Sequence, residues 1–545
     1  MLGTDLTFNA IKSKILRPHW WKGYCLAAAA IALVAGGYVI WTGHIWEDYL
    51  ITFRFSRNWA RGNGLVFTPG ERVHGFTSFL NTMIPAWVDW LAGGESIYPA
   101  LNAYRCVCIS ALAAATVFLL DVFRHSCPSP AIAGLLLVGL VCGDFKTIAY
   151  TGNGQEIAFL WLFSAIGIHG LQRGIDQHWR SMAVAATGLM YTRPDGFIFA
   201  TILGVAWLLV SGDSRWKGLL GLVKAAGLTT VAYLPWLAFV WSYYGTPVPH
   251  TVLAKVHAYG NVHEAVSFGD SLLVWAKALP GHALGVFEPI YPNRADWPAW
   301  MPAFSTLAAL LAIVPLFLPK MPQLARGAAV CFGLGVCYLA VIHARTGSVF
   351  PWYFSFCSMS ATISIACSFG ALVSRFQASQ SLRVLVGLPA VLVLLGACTL
   401  SWGGWQQIRL QQREIEWGIR YQIGRWLKSH IQPDDRVMLE PIGYIGFFSN
   451  AKLYDYPGLV SPAMVAVRNA GHRTIPEAAI VLKPEWLVLR KSELQAAERF
   501  EDLVRNYEVV KALSGYQRIA ESPRVWGLGY LAFDCDYFIL RRKTD

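Results

Sequence analysis

The sequence predicts a polytopic α-helical membrane protein of about eleven spans, followed by a small α/β domain. Three observations lead there. Hydrophobic residues make up 55% of the 545-residue chain and charged residues only 14%, where a soluble globular protein carries about 25% charge. The apolar residues fall in long blocks, several approaching the roughly 20 residues that cross a bilayer as helix. Beyond residue 401 those blocks stop and short strand-like and amphipathic runs replace them. The formal charge of +12 on such a chain points to cytoplasmic anchoring and an anionic ligand rather than to nucleic acid.

The candidate spans are 25–41, 101–120, 130–143, 156–170, 181–193, 196–210, 218–241, 303–319, 327–342, 351–373 and 384–401. Lys12, Lys14, Arg17 and Lys22 precede the first block. No small-residue cleavage site follows, so this block is expected to be a retained helix. With the N-terminus inside, short connections holding Arg124, Arg173 with Arg180, Arg215 with Lys217, Lys320 with Arg326, and Arg375 with Arg383 all fall on the cytoplasmic side. Segments 42–100, 144–155, 242–302 and 402–545 then lie outside. Residues 78–92 and 268–290 are expected as interfacial helices, because adding either as a span breaks the charge pattern.

The C-terminal part reads as an extracytoplasmic soluble α/β domain of about 140 residues, enough for its own core. The boundary divides the chain into 1–401 and 402–545. Residues 411–431 form an amphipathic helix pattern. RVMLE, AKLYDYPG, WLVLR and DYFILRR read as strand and turn runs, and AERFEDLVRNY as a helix. Trp402, Trp405 and Tyr444 are sugar-stacking or packing aromatics. Most of the eleven cysteines sit inside apolar runs and read as small hydrophobes. Their spacing is not that of a zinc site, and Cys535 stands alone in the C-terminal part.

The charged residues need an explanation. Glu47 and Asp48 follow the first apolar block directly. Arg54, Arg57 and Arg61 follow them, on a helical spacing that places Glu47 and the arginines near one face and Asp48 about 100° away. A carboxylate takes a proton from an attacking alcohol, and arginines neutralise a phosphate leaving group. The same residues also fit an ordinary juxtamembrane ion-pair patch. Further polar groups recur on the outer side: Glu156, Arg193 and Asp195, Tyr244, His250 and Lys255, then Arg345, Trp352 and Tyr353. Arg193 and Asp195 also fit a salt-bridged turn around Pro194, and Trp352 and Tyr353 an aromatic belt. Together they suggest a basic pocket with carboxylates, open to lipid and suited to a lipid-linked phosphate. No nucleotide-binding loop occurs in the chain.

The stretch WEDYLITFRFSRNWARGNGLVFTPGERVHGFTS resembles the first outer loop of GT-C-class membrane glycosyltransferases, in particular the bacterial terminal arabinofuranosyltransferases of mycobacterial cell-wall synthesis and their pilin-modifying relatives. Glu47-Asp48, Arg54, Arg57-Asn58, Gly64 to Phe67, Pro69 to Glu71 and Gly75 to Ser78 carry the likeness. TRPDG at 192–196, YYGTPVP at 243–249, EPIGYIG at 440–446 and DYPGLVSP at 455–462 extend it. The resemblance implies a GT-C fold in a bacterial inner membrane and a polyprenyl-phosphate donor, decaprenyl-phosphoryl arabinofuranose for the arabinosyl members. It implies transfer to a glycan or glycoprotein acceptor on the extracytoplasmic face. It places the catalytic centre at Glu47 and Asp48, either of which is the base. Expected donor-phosphate ligands are Arg54, Arg57, Arg193, Lys255 and Arg345. Expected substrate contacts are Glu156, Asp195, Tyr244, His250, Trp352 and Tyr353. Glu47 stands where the family has Asp, and His250 where it has Asn. A divalent cation is an open possibility, with no metal-specific cluster in the sequence. Transfer of another lipid-linked sugar, such as mannose or aminoarabinose, fits the same physics. A lipid or solute transporter would favour paired repeats and mid-membrane polar groups, and neither is seen.

Overall fold

Helix length decides which apolar blocks reach across a bilayer. The computed structural model describes residues 20–211, 215–259, 268–292, 295–376, 379–522 and 525–543; Lys12, Lys14 and Arg17 lie outside them. Among the described residues six helices are long and apolar enough to span: Trp20–Thr42, Tyr98–Ser126, Arg215–Tyr244, Gln323–Thr346, Pro351–Arg375 and Ser381–Lys428. A seventh span forms if Pro130–Gly143 and Phe145–Gly152, bent by 62° at their junction, act as one.

The expectation of about eleven spans is therefore corrected to six or seven. Ile157–Gln172, Gly196–Val210 and Met301–Leu316 are apolar helices, but at 1.5 Å per residue they measure only about 22–24 Å against a hydrocarbon core of about 30 Å. The expected span 181–193 falls on Ile175–Thr192, which ends before Arg193 and whose backbone leaves helical geometry at His178. In Ile157–Gln172 the apolar residues pack inside the bundle, where Ile157, Ala158, Trp161 and Ala165 are fully buried. Composition alone reads a buried short helix and a span alike.

Two further helices follow the first outer segments. Phe79–Leu91 is capped by Ser78, whose hydroxyl accepts the Asn81 backbone N–H. Phe268–Gly285 lies within the second expected interfacial segment.

The Gln380–Gln411 helix continues without a linker through nine π-helical residues, Gln412–Arg420, into Tyr421–Lys428. The α/β region that follows carries a five-stranded sheet of order β2-β1-β3-β5-β4. Its strands are β1 (Arg436–Leu439), β2 (Lys452–Asp455), β3 (Trp486–Arg490), β4 (Tyr507–Ser514) and β5 (Asp536–Arg542). β1 pairs in parallel with β2 and β3, whereas β5 pairs antiparallel with β3 and β4. The edge strand β4 is not among the expected strands. Most of its residues face solvent and it bulges between Val509 and Lys511, so no clean alternation marks it.

The first outer segment is braced against this α/β region. Arg54 donates to the Gly446 carbonyl at 2.7 Å and the Ala451 carbonyl at 2.9 Å. Arg436 pairs with Glu71 at 2.6 Å. Asn58 donates to the Val66 and Phe67 carbonyls at 2.8 and 2.9 Å, fixing the GLVF turn. Asp455 accepts the Leu459 and Val460 N–H groups and closes the DYPGLVSP loop. Two glycines allow the close approach. A Cβ on Gly75 would lie 2.9 Å from both Phe55 and Val460, and one on Gly443 would lie 2.3 Å from the Glu47 carbonyl oxygen.

Candidate active site

Glu47 and Asp48 open the Glu47–Ala60 helix and point to different environments, as their 100° offset requires. Glu47 is held. Its carboxylate accepts the Gly443 N–H on one oxygen and Arg420 Nη1 at 2.9 Å on the other. Burial raises its carboxyl above the ordinary range against the pull of Arg420, and Glu416 adds to the rise. Asp48 lines a two-lobed cavity and belongs to the wall common to both lobes, with Thr52, Thr77, Thr251, Lys255 and Trp352. Burial raises the Asp48 pKa, opposed by the Lys255 ammonium and by the Gln155 and Trp46 side chains.

The first lobe lies between the Glu47–Ala60 helix, the loop at 75–77 and the α/β region, which contributes Glu440, Ile442, Leu459, Arg490 and Tyr530. Each lobe holds about 1200 Å³ including its open mouth. Its floor is an ion network. Arg420 joins Glu47, Glu416 at 3.0 Å and Asp534; Arg490 joins Glu440 at 2.5 Å, Glu493 at 3.0 Å and Asp534 at 2.7 Å. Tyr291 and Tyr530 stack on each other with centroids 3.6 Å apart.

The second lobe runs among the helix ends. Arg193 donates to both oxygens of Asp195 at 2.9 and 3.2 Å and to Glu156 at 3.2 Å, with Tyr353 beneath its guanidinium at 4.6 Å. Tyr338 donates to Asp195 at 3.0 Å, and Asn81 to Glu156 at 3.4 Å. Arg193 therefore meets two carboxylates. Arg345 and Lys255 line the same lobe; Lys255 lies over the rings of Phe350 at 5.0 Å and Trp352 at 5.4 Å.

The structure thus brings Glu47, Asp48, Glu156, Arg193, Asp195, Lys255, Arg345, Trp352 and Tyr353 to the cavity. Four other expected residues are placed away from its walls. Arg54 is bonded to the two carbonyls above. Arg57 pairs with Asp89 at 3.2 Å and donates to the Ser96 carbonyl at 3.0 Å. The Tyr244 hydroxyl donates to the Leu65 carbonyl at 2.6 Å and its ring stacks on His74. The His250 backbone N–H donates to the His74 carbonyl at 2.9 Å. Trp405 packs on Tyr38, Trp402 on Trp41, and Tyr444 is buried with its hydroxyl on Gln412. Sequence reasoning did not single out Thr52, Thr77, Thr251, Gln411, Arg420, Arg490 or Tyr530. Glu440 stood only as part of the EPIGYIG stretch. Among the described residues no group of three or more His, Cys, Asp or Glu side chains is arranged to hold a metal ion.

ArnT from Cupriavidus metallidurans, solved with undecaprenyl phosphate, superposes with a TM-score of 0.52 at 11% identity, covering 96% of this chain and 98% of that one. The oligosaccharyltransferase AglB from Archaeoglobus fulgidus, solved with an inhibitory peptide and a dolichol-phosphate, gives 0.54 at 12% identity over 86% of this chain and 70% of that one. The chain has a GT-C fold. Sequence likeness adds a narrower relationship. The chain is 29% identical over 246 residues to a terminal β-(1→2)-arabinofuranosyltransferase of Mycobacterium tuberculosis, 42% of this chain and 38% of that protein. It is 27% identical over 257 residues to the Corynebacterium glutamicum enzyme of the same description, 41% of this chain and 35% of that protein. The matched part is thus well under half the length of either relative. Residues 406–532 match the model of a domain of unknown function, DUF8728.

Proposed function

We propose that this protein is a glycosyltransferase that moves a sugar, D-arabinofuranose, from a polyprenyl-phosphate donor to a hydroxyl of a cell-envelope glycan or glycoprotein. The observation that carries the reading is Asp48: a cavity carboxylate at the junction of two lobes, one facing the helix ends and one facing the α/β region. The donor phosphate lies in the second lobe against Lys255 and Arg345, the cations there that are not consumed by the Glu156–Arg193–Asp195 cluster. The acceptor hydroxyl enters from the first lobe. Asp48 takes its proton as the oxygen bonds to the anomeric carbon. The bond from that carbon to the phosphate oxygen breaks, and the phosphate leaves on the polyprenyl chain with its electron pair, stabilised by the two cations. Arg193, fixed by two carboxylates, shapes the lobe and presents Tyr353.

The membrane part, 1–401, carries the donor site in this reading, and 402–545 supplies the acceptor wall. The protein sits in the bacterial inner membrane with the cavity on the extracytoplasmic side. The test is transfer of radiolabel from polyprenyl-phosphoryl arabinofuranose to envelope acceptors by the purified protein in lipid. Label in the acceptor supports the reading. Transfer only from a mannosyl or aminoarabinosyl lipid overturns the sugar, and no transfer from any lipid-linked sugar overturns the class.

A further inference from the structure

We infer that Glu440 and Gln411 form a subsite on the α/β side of the first lobe, which holds an acceptor group rich in hydrogen-bond donors and free of negative charge. The inference rests on the transfer reading above and adds the chemistry that selects the acceptor. Gln411 lines the first lobe and is only 3% exposed. Its amide nitrogen donates to Glu416 at 2.9 Å. Glu416 only accepts when ionised, so the amide orientation is set and Oε1 is turned away from it. That Oε1 has no hydrogen-bond partner among the described residues. A buried acceptor left unpaired is costly, and a ligand donor in the lobe relieves the cost.

Glu440 follows β1, at the carboxyl end of a parallel strand, where open α/β sheets expose ligand-binding groups. One of its oxygens accepts from Arg490 at 2.5 Å, and the side chain stays 30% exposed at the lobe. The wall behind these residues has more negative than positive groups. Glu47, Glu416, Glu440, Glu493 and Asp534 share two guanidiniums, Arg420 and Arg490. Those guanidiniums are spent on carboxylates, so the wall offers acceptors and repels anions. Of the cations assigned to a phosphate, Arg345 lines only the second lobe and Lys255 stands in the wall common to both. The α/β wall of the first lobe, away from Lys255, therefore favours donors over anions. Tyr291, Tyr530 and Trp352 line the same lobe and add apolar aromatic surface to it.

The experiment measures binding by tryptophan fluorescence, since Trp46 and Trp352 line the lobe. The full-length protein in lipid nanodiscs is titrated with a neutral furanose disaccharide, its amino derivative and its phosphorylated derivative. The neutral or amino probe is expected to bind, and whichever binds tighter assigns hydroxyls or an ammonium as the recognised donors. The phosphorylated probe is expected to bind at least about tenfold more weakly. Glu440→Gln and Gln411→Met, each checked for unchanged thermal unfolding, are expected to weaken the preferred probe about tenfold and raise acceptor KM alike, while polyprenyl-phosphate binding stays within about twofold. Gln411→Met leaves the Glu440–Arg490 pair intact and so reads the subsite independently. Equal binding of the phosphorylated probe, wild-type binding by both variants, or a parallel loss of polyprenyl-phosphate binding would overturn the inference. Probe binding with no sugar transfer would sink the reaction and leave the subsite standing. Transfer with unchanged acceptor KM in both variants would do the reverse.

Discussion

Replacing Glu47 with Gln separates the two adjacent carboxylates by their work. The Gly443 N–H keeps an acceptor in the amide oxygen, but the charge-assisted bond from Arg420, 2.9 Å long, is lost. Such a bond contributes about 1.5–3 kcal/mol. Arg420 retains Glu416 and Asp534, so the net loss is expected at about 1–2 kcal/mol. Because Glu47 joins the first outer helix to the α/β region, the loss should concentrate at their contact. Hydrogen exchange at the Gly443 amide is expected to quicken by about 5–30-fold, while transfer falls but persists. The pH response has a defined sign. Burial raises the Glu47 carboxyl above its ordinary value of 4.5, so its contribution to stability is complete below that value and is lost as pH rises through the raised one. The Glu47→Gln substitution removes that component. Unchanged exchange at Gly443 together with abolished transfer would refute the reasoning, for Glu47 would then be the reacting carboxylate.

Lys255→Met removes the cation that lowers the Asp48 pKa. The acid limb of the transfer rate, read at saturating donor, should therefore move to higher pH, with a larger deficit at acid than at alkaline pH. Arg345→Met should raise donor KM by about tenfold or more with little change in thermal unfolding. Arg57→Met, which breaks the pair with Asp89, should leave donor KM unchanged and lower stability instead; initial rates over a donor series and a melting curve distinguish the two.

The sequence made the chemistry of the outer segments legible and their division of labour illegible. Adjacent carboxylates, a cluster of arginines and aromatics at span ends pointed to one pocket, and nine of the thirteen residues singled out line its two lobes. The exceptions have a common cause. Arg54 and Arg57 share a helical face with Glu47, yet the partners that occupy them, the Gly446 carbonyl and Asp89, lie 392 and 32 residues away. No local pattern reveals such partners. Arg420 and Gln411 sat in what read as the charged side of an amphipathic helix, and only the π-helical segment beside the cavity gives them a site role. The span count failed for a related reason. A helix buried by its neighbours needs the same apolar residues as one facing lipid, and length separates them only once its ends are known. β1, β2, β3 and β5 showed in short apolar runs. β4 did not, since an exposed edge strand has no buried face to set an alternating pattern.

The central claim is that Asp48 is the base between the two lobes. The most direct test is single-turnover transfer from a labelled polyprenyl-phosphoryl arabinofuranose by Asp48→Asn in lipid, with donor binding measured on the same preparation. Donor binding within about twofold of wild type, with the chemical step slowed at least about 100-fold, is the predicted result. Transfer at the wild-type rate by Asp48→Asn, with its donor still bound, would contradict the account.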